Sequence, residues 1–136
     1  IANIAPDALE AKTFAAGVRV EHPRKLIDSI QFHGKTDDSM PAAEYRVVTQ
    51  VQERGVYSFC MCPGGVVMAS SSEKNTIVTN GMSLFLRDGR NANSALLVGV
   101  SPSDFNCSSP LDGIYFQKDL HRQYLQSLHH FLRLMS

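Results

Sequence analysis

The octet Ser58-Phe59-Cys60-Met61-Cys62-Pro63-Gly64-Gly65 sets two thiols on alternate positions of a strand pattern that ends in a Pro-Gly-Gly turn. Thiolates act as nucleophiles, metal ligands and redox groups, and each use demands different company. On a regular strand Cys60 and Cys62 share one face while Phe59 and Met61 point the other way. Pro63 cannot donate a ladder hydrogen bond, and Gly64 and Gly65 permit close approaches that a Cβ blocks. Reactive sulfur, bare backbone and a tight bend suit a ligand-facing strand end. The same residues also read as two small buried thiols ahead of a hairpin, because free cysteine is among the most buried residue types.

Two further stretches concentrate polar groups between apolar runs: Asn80-Gly81-Met82-Ser83, and Arg87 to Ser94. Arg87 or Arg90 suits a carboxylate or phosphate, with Asn93 and Ser94 as neutral donors. The plain alternative is a polar loop whose Asn and Asp residues stabilise turns. Arg19, on an otherwise apolar strand, reads as the exposed half of an alternation. Arg19, Arg87 and His22 are the candidate activators of a nucleophilic thiol, and nothing local selects among them. For zinc, Cys60 and Cys62 need two more ligands, and Cys107, His121, His129 and His130 lack the paired spacing of such sites. No metal site is expected and no catalytic residue is assigned. No G-x-G-x-x-G, Walker, H-E-x-x-H or G-x-S-x-G sequence occurs.

The chain has 136 residues, 43% of them hydrophobic, and equal numbers of basic and acidic residues at 13 each. Such a chain fits one compact domain over residues 1–136, and zero net charge removes the electrostatic case for nucleic acid. No apolar run approaches the roughly 20 residues that span a bilayer, and no signal pattern opens the chain, so a cytoplasmic protein without a membrane partner is expected. An odd cysteine count with an i, i+2 pair makes a poor disulfide framework. The chain begins at Ile1 without Met and enters a strand pattern almost at once, as an excised piece would.

The elements that must position these residues read as α+β, with a largely antiparallel or mixed sheet. Strand patterns cover Phe14 to Glu21, Tyr45 to Val51, Val56 to Met61, Val66 to Ser70, Thr76 to Thr79, Leu84 to Leu86 and Ala95 to Val100. The Arg54-Gly55 and Pro63-Gly64-Gly65 punctuation suggests a meander of the three neighbouring strands Tyr45 to Val51, Val56 to Met61 and Val66 to Ser70, and Asn80-Gly81 is a hairpin signal. A short helix follows Pro23 and stops near Gly34; Leu120 to Met135 is an amphipathic helix.

Four segments together resemble a known family: Phe14 to Pro23, Gly55 to Gly65, Asn80 to Ser83 and Asn91 to Val98. They are similar, in this order, to bacterial FAD-dependent dehydrogenases, the uncharacterised NAD(FAD)-utilising flavoproteins. The resemblance runs from about Ala8 to Gln117. It implies an internal, substrate-side domain of a larger flavoprotein, whose glycine-rich fingerprint lies elsewhere in the parent. FAD would belong to the parent and not be retained by this piece, with NAD(P) as a further cofactor; the partners implied are the parent's flavin-binding domain and a small-molecule substrate. The residues that would wall the cavity beside the flavin are Cys60, Cys62, Pro63, Gly64, Gly65, Asn80, Gly81, Met82, Ser83, Arg87, Asn93 and Ser94. The chain alone would be inactive, and its uncovered face would pair two copies into a homodimer. The resemblance stops where the family continues toward a Gly-Gly-Asn-Tyr type segment, while His121 to Ser136 reads as helix. The alternatives are a non-enzymatic module for a small anionic ligand and a cysteine-dependent enzyme, which needs a depressed thiol pKa.

Overall fold

The computed structural model describes residues 8–35, 37, 39–105 and 108–134. Its elements confirm an α+β fold built on antiparallel strands. Strands β1 (Phe14–Pro23), β2 (Val48–Val51), β3 (Arg54–Cys62), β4 (Gly65–Ala69), β5 (Thr79–Ser83) and β6 (Asn91–Val100) are joined by helices α1 (Arg24–Gln31) and α2 (Asp112–Leu134). The described residues fall into two compact units, one of those within 15–70 and 79–99, the other of residues 8–14, 71–78, 100–105 and 108–134.

The first unit holds both sheets. A four-stranded sheet runs in the order β1-β6-β3-β2, and β4 and β5 form a two-stranded sheet of their own. The expected meander is therefore corrected: β3 pairs with β2 and β6, and β4 turns away to pair with β5. The break has a cause in the turn. Gly64 has φ +56, and a Cβ there would stand 1.8 Å from the carbonyl oxygen of Arg87, so backbone from the loop before β6 occupies the space a hairpin partner would need.

Asn80-Gly81 also departs from expectation, lying inside β5 with Gly81 opposite Val67. Likewise Asn91 to Ser94 is strand, not loop, and Leu84 to Leu86 is loop, not strand. The real hairpin is Gln52-Glu53, between the paired residues Val51 and Arg54, with φ +48 and +64. Positive φ at both central residues is the type I′ geometry, here without the usual Asn-Gly.

Helix α1 starts directly after Pro23, which supplies the N-cap position without a side-chain cap, and ends where Gly34 turns left-handed at φ +77. Its one buried residue, Asp28, accepts from the amide of Ala43 at 2.8 Å and faces the Arg24 guanidinium at 3.5 Å. That carboxylate ties the loop entering β2 to the helix. Ser58 extends the β2–β3 ladder by one step, donating its amide to Val47 and accepting the Val47 amide on its hydroxyl, both at 2.8 Å.

In the second unit α2 begins eight residues before the expected Leu120. Asp112 accepts the amides of Ser108 and Ser109, both at 2.8 Å, and these bonds hold its carboxyl below the ordinary range. Ser109-Pro110-Leu111-Asp112 thus forms the reciprocal half of a capping box with Pro in the first turn. Phe14, Phe105 and Phe116 pack as a ring cluster with centroids 5.6 to 6.2 Å apart. Met135 lies outside the described residues.

The Gln52-Glu53 turn yields a direct test. Replacing it with Asn-Gly puts at both left-handed positions residues that tolerate that conformation, and should raise stability by about 1–2 kcal/mol, read as a higher urea midpoint at unchanged slope. An unchanged midpoint would mean that the turn does not hold this geometry.

Candidate functional site

The end of β3 carries an irregularity that reorganises everything around it. Phe59 pairs with Ala95 and Cys62 with Asn93, so three steps on β3 match two on β6. One extra residue is a β-bulge, and Cys60 takes the left-handed conformation at φ +49. Ladder partners share a face, as do residues two apart on one strand. Cys62 consequently lies on the face of Phe59, not of Cys60, which corrects the regular alternation expected from sequence. Cys60 is exposed and Cys62 only 6% exposed.

A guanidinium holds the bulge. Arg19 on β1 donates Nη1 to the carbonyl oxygen of Cys60 at 3.1 Å and to Oδ1 of Asn93 at 2.8 Å. Asn93 is fully buried, so this charge-assisted bond lies where water competes least. The Cys62 thiol points back to the same Cys60 carbonyl, with Sγ at 3.3 Å. Burial, first, and the neighbouring Cys60 thiol, second, push the Cys62 thiol above its ordinary value, against the opposing pull of Arg19. Two donors of this cluster, Arg19 Nε and Asn93 Nδ2, are buried without a partner among the described residues.

Gly81 closes the cluster from β5. A Cβ there would meet Asn93 Oδ1 at 2.3 Å, Arg19 Nη1 at 2.5 Å and Cys62 Sγ at 2.7 Å. Glycine stands here for space, not for a turn. Ser83, two residues on, donates its hydroxyl to the Pro63 carbonyl at 2.9 Å and ties β5 to the turn after Cys62.

The structure thus gathers Cys60, Cys62, Pro63, Gly81, Ser83 and Asn93, together with Gly64 and Gly65, whose virtual Cβ atoms strike the carbonyls of Arg87 and Met82. Arg19, set aside on sequence as a solvent-facing residue, is the hub. The other candidates are not gathered in. Asn80 and Met82 are exposed members of β5. Arg87 has φ +52 and directs its side chain to Glu44 in an exposed ion pair, which already meets its charge. Asn93 and Ser94 are both fully buried but adjacent on a strand, so they serve opposite faces. The Ser94 hydroxyl donates to the carbonyl of Ala95 at 3.0 Å. On that second face His22 Nε2 meets the Tyr45 hydroxyl at 2.9 Å, a pair that sequence reading did not join. Burial raises the Tyr45 phenol, moderated by Ser94 and the Arg19 charge.

A cleft of about 300 Å³ lies elsewhere, lined by Arg24, Lys25, Asp28, Phe32, Asp37, Met40, Pro41 and Asp88. Three carboxylates against two cations give it no preference for an anion, and none of the sequence-derived candidates lines it. It is also too small for a dinucleotide, and Gly64 and Gly65 have carbonyls packed on them where a pyrophosphate cradle needs open amides. Neither this cleft nor the Gly64-Gly65 turn presents an open cradle for a pyrophosphate.

The family described as "FAD-dependent protein, C-terminal domain-like" matches residues 13–131. This chain belongs to that family. The match continues past Gln117, so the residues of α2 up to 131 lie within the family region and not beyond it. The chain is also 54% identical over 114 residues to an uncharacterised protein of Clostridium beijerinckii, covering 82% of this chain and 21% of that protein. It thus spans about a fifth of the length of the curated relative it matches. Among the described residues, no helix is long and apolar enough to cross a membrane.

Gly81→Ala should cost roughly 1–3 kcal/mol in urea unfolding, because its new methyl must displace Asn93, Arg19 and Cys62 together. Gly99→Ala, with nothing within 4 Å of its Cβ position, should change stability by less than about 0.5 kcal/mol or raise it. Equal effects of the two would refute the packing argument.

Proposed function

We propose that this chain is the part of an FAD-dependent oxidoreductase that covers the substrate side of the flavin, the flavin being held by the remainder of a longer protein. The observation that carries the reading is an apolar ridge on a chain of this family. Leu84, Phe85 and Leu86 are 59%, 98% and 73% exposed, three large consecutive apolar residues in one loop. Exposed apolar groups so concentrated mark an interaction surface, and burying them supplies the association energy. The loop leads straight into Arg87, whose carbonyl closes on Gly64, so the ridge is braced from behind by the Cys62–Gly65 turn.

On this reading FAD supplies hydride transfer when bound. This chain's residues do the rest: the ridge seals the joint against water, and the Arg19 cluster keeps the turn behind it rigid. The longer protein would then be a dehydrogenase, with NAD(P) as a second cofactor and a small-molecule substrate met at this face.

The test is made on the longer protein. Purified intact, it should be yellow with stoichiometric, dithionite-bleachable FAD, while the 136-residue chain is colourless. Phe85→Asp in the longer protein should weaken flavin retention about tenfold or more, since a carboxylate cannot be buried unpaired in an apolar joint. A colourless intact protein would overturn the flavin reading; a yellow protein indifferent to Phe85→Asp would overturn the placement of the ridge.

A further inference from the structure

We propose that β2 is the edge through which two copies of this chain pair, antiparallel about a two-fold axis at Thr49, so that two four-stranded sheets become one. The proposal stands apart from the flavin reading, because it needs only β2 and the residues beside it.

β2 ends the sheet order β1-β6-β3-β2, so only one of its sides is hydrogen-bonded within the sheet. Antiparallel partners alternate between pairs that exchange both backbone bonds and pairs that exchange none. The Ser58 amide donates to the Val47 carbonyl at 2.8 Å, which makes residues 47 and 58 a bonded pair. In that register Thr49 with Val56, and Val51 with Arg54, are bonded pairs too. Val48 and Gln50 therefore turn their N–H and C=O groups outward, and these meet no partner among the described residues. The whole strand is exposed, Val48 at 66% and Val51 at 54%. Sheet edges are commonly guarded by Lys, Pro or a bulge, and Val48-Thr49-Gln50-Val51 carries none of these.

The strand is complementary to itself. With the axis at Thr49, Val48 stands opposite Gln50 of the second copy and Gln50 opposite its Val48. Each of these pairs exchanges both backbone bonds, so every outward group of β2 is used on both copies. On the face that Thr49 shares, Val51 meets Val47 of the second copy on either side of a central Thr49–Thr49 contact. Cross-strand pairs of β-branched residues are favourable, and both valines are exposed before pairing. Charge selects the same arrangement. Arg46 lies just before β2 and Glu53 just after it, both exposed and neither with a partner among the described residues. Antiparallel pairing brings Arg46 of each copy to the turn that holds Glu53 of the other, whereas parallel pairing would set like charges together. Glu44 and Arg54 are engaged already, with Arg87 and with the Gly99 carbonyl. The contact is small, which suits a reversible dimer and not an obligate one.

The test is made on the longer protein and reads oligomeric state, not flavin. Sedimentation should show a monomer–dimer equilibrium. Gln50→Pro should raise the dimer dissociation constant about tenfold or more, since it removes an outward N–H and spares the β2–β3 ladder. Mild oxidation of Thr49→Cys should join two copies by a 49–49 disulfide, mapped by peptide mass spectrometry, because opposed residues of a non-bonded pair lie about 4.5 Å apart at Cα. Val51→Cys should not join to itself, since this register sets its two copies at least roughly 13 Å apart. A protein that stays monomeric up to its solubility limit, a dimer indifferent to Gln50→Pro, or equal cross-linking of Thr49→Cys and Val51→Cys would each overturn the proposal.

Discussion

A single half-buried guanidinium holds the candidate site in place. Arg19 comes from β1, Asn93 from β6 and the Cys60 carbonyl from β3, so one side chain bonds across three strands of the four-stranded sheet. The bulge leaves the Cys60 carbonyl without a regular ladder partner. Arg19 supplies that partner with a charge. The left-handed conformation of Cys60, the inward turn of Cys62 and the choice of glycine at position 81 all follow from making room for this arrangement.

The turn after Cys62 depends on it in the same way. Gly64 and Gly65 bring backbone to backbone, with the Arg87 and Met82 carbonyls where side chains would otherwise stand. Close packing of this kind transmits position well and yields little. It gives the exposed Leu84–Leu86 loop a stiff foundation, which suits a surface meant to be covered. The Cys62 thiol, the glycines and the apolar ridge are thus consecutive layers, with the Cys62 sulfur innermost and the ridge outermost.

Much of the fold is legible in the sequence wherever local chemistry decides it. The β-branched stretch Val47 to Val51 marks β2, Pro23 and Gly34 bracket α1, and the antiparallel α+β class follows. What escapes is decided by distant partners. Asn80-Gly81 carries a turn signal, yet a neighbour 12 residues away and another 62 away require glycine there, and β5 runs through it. Arg19 looks like the solvent half of an alternating strand because its acceptors lie 41 and 74 residues downstream. The bulge has no signal of its own, since a cysteine at positive φ is what propensity argues against. One local signal was there to be used: Ser109-Pro110-Leu111-Asp112 announces the start of α2 eight residues before its apolar stripe becomes regular.

The central claim is that the Arg19–Asn93 bond holds the bulge, and a double-mutant cycle measures it most directly. Arg19→Met and Asn93→Ala, singly and together, would be compared by urea unfolding. The account predicts a coupling of about 2 kcal/mol, the range of a charge-assisted bond removed from water. Costs that add to within about 0.5 kcal/mol would show that the two residues are independent, and would contradict it.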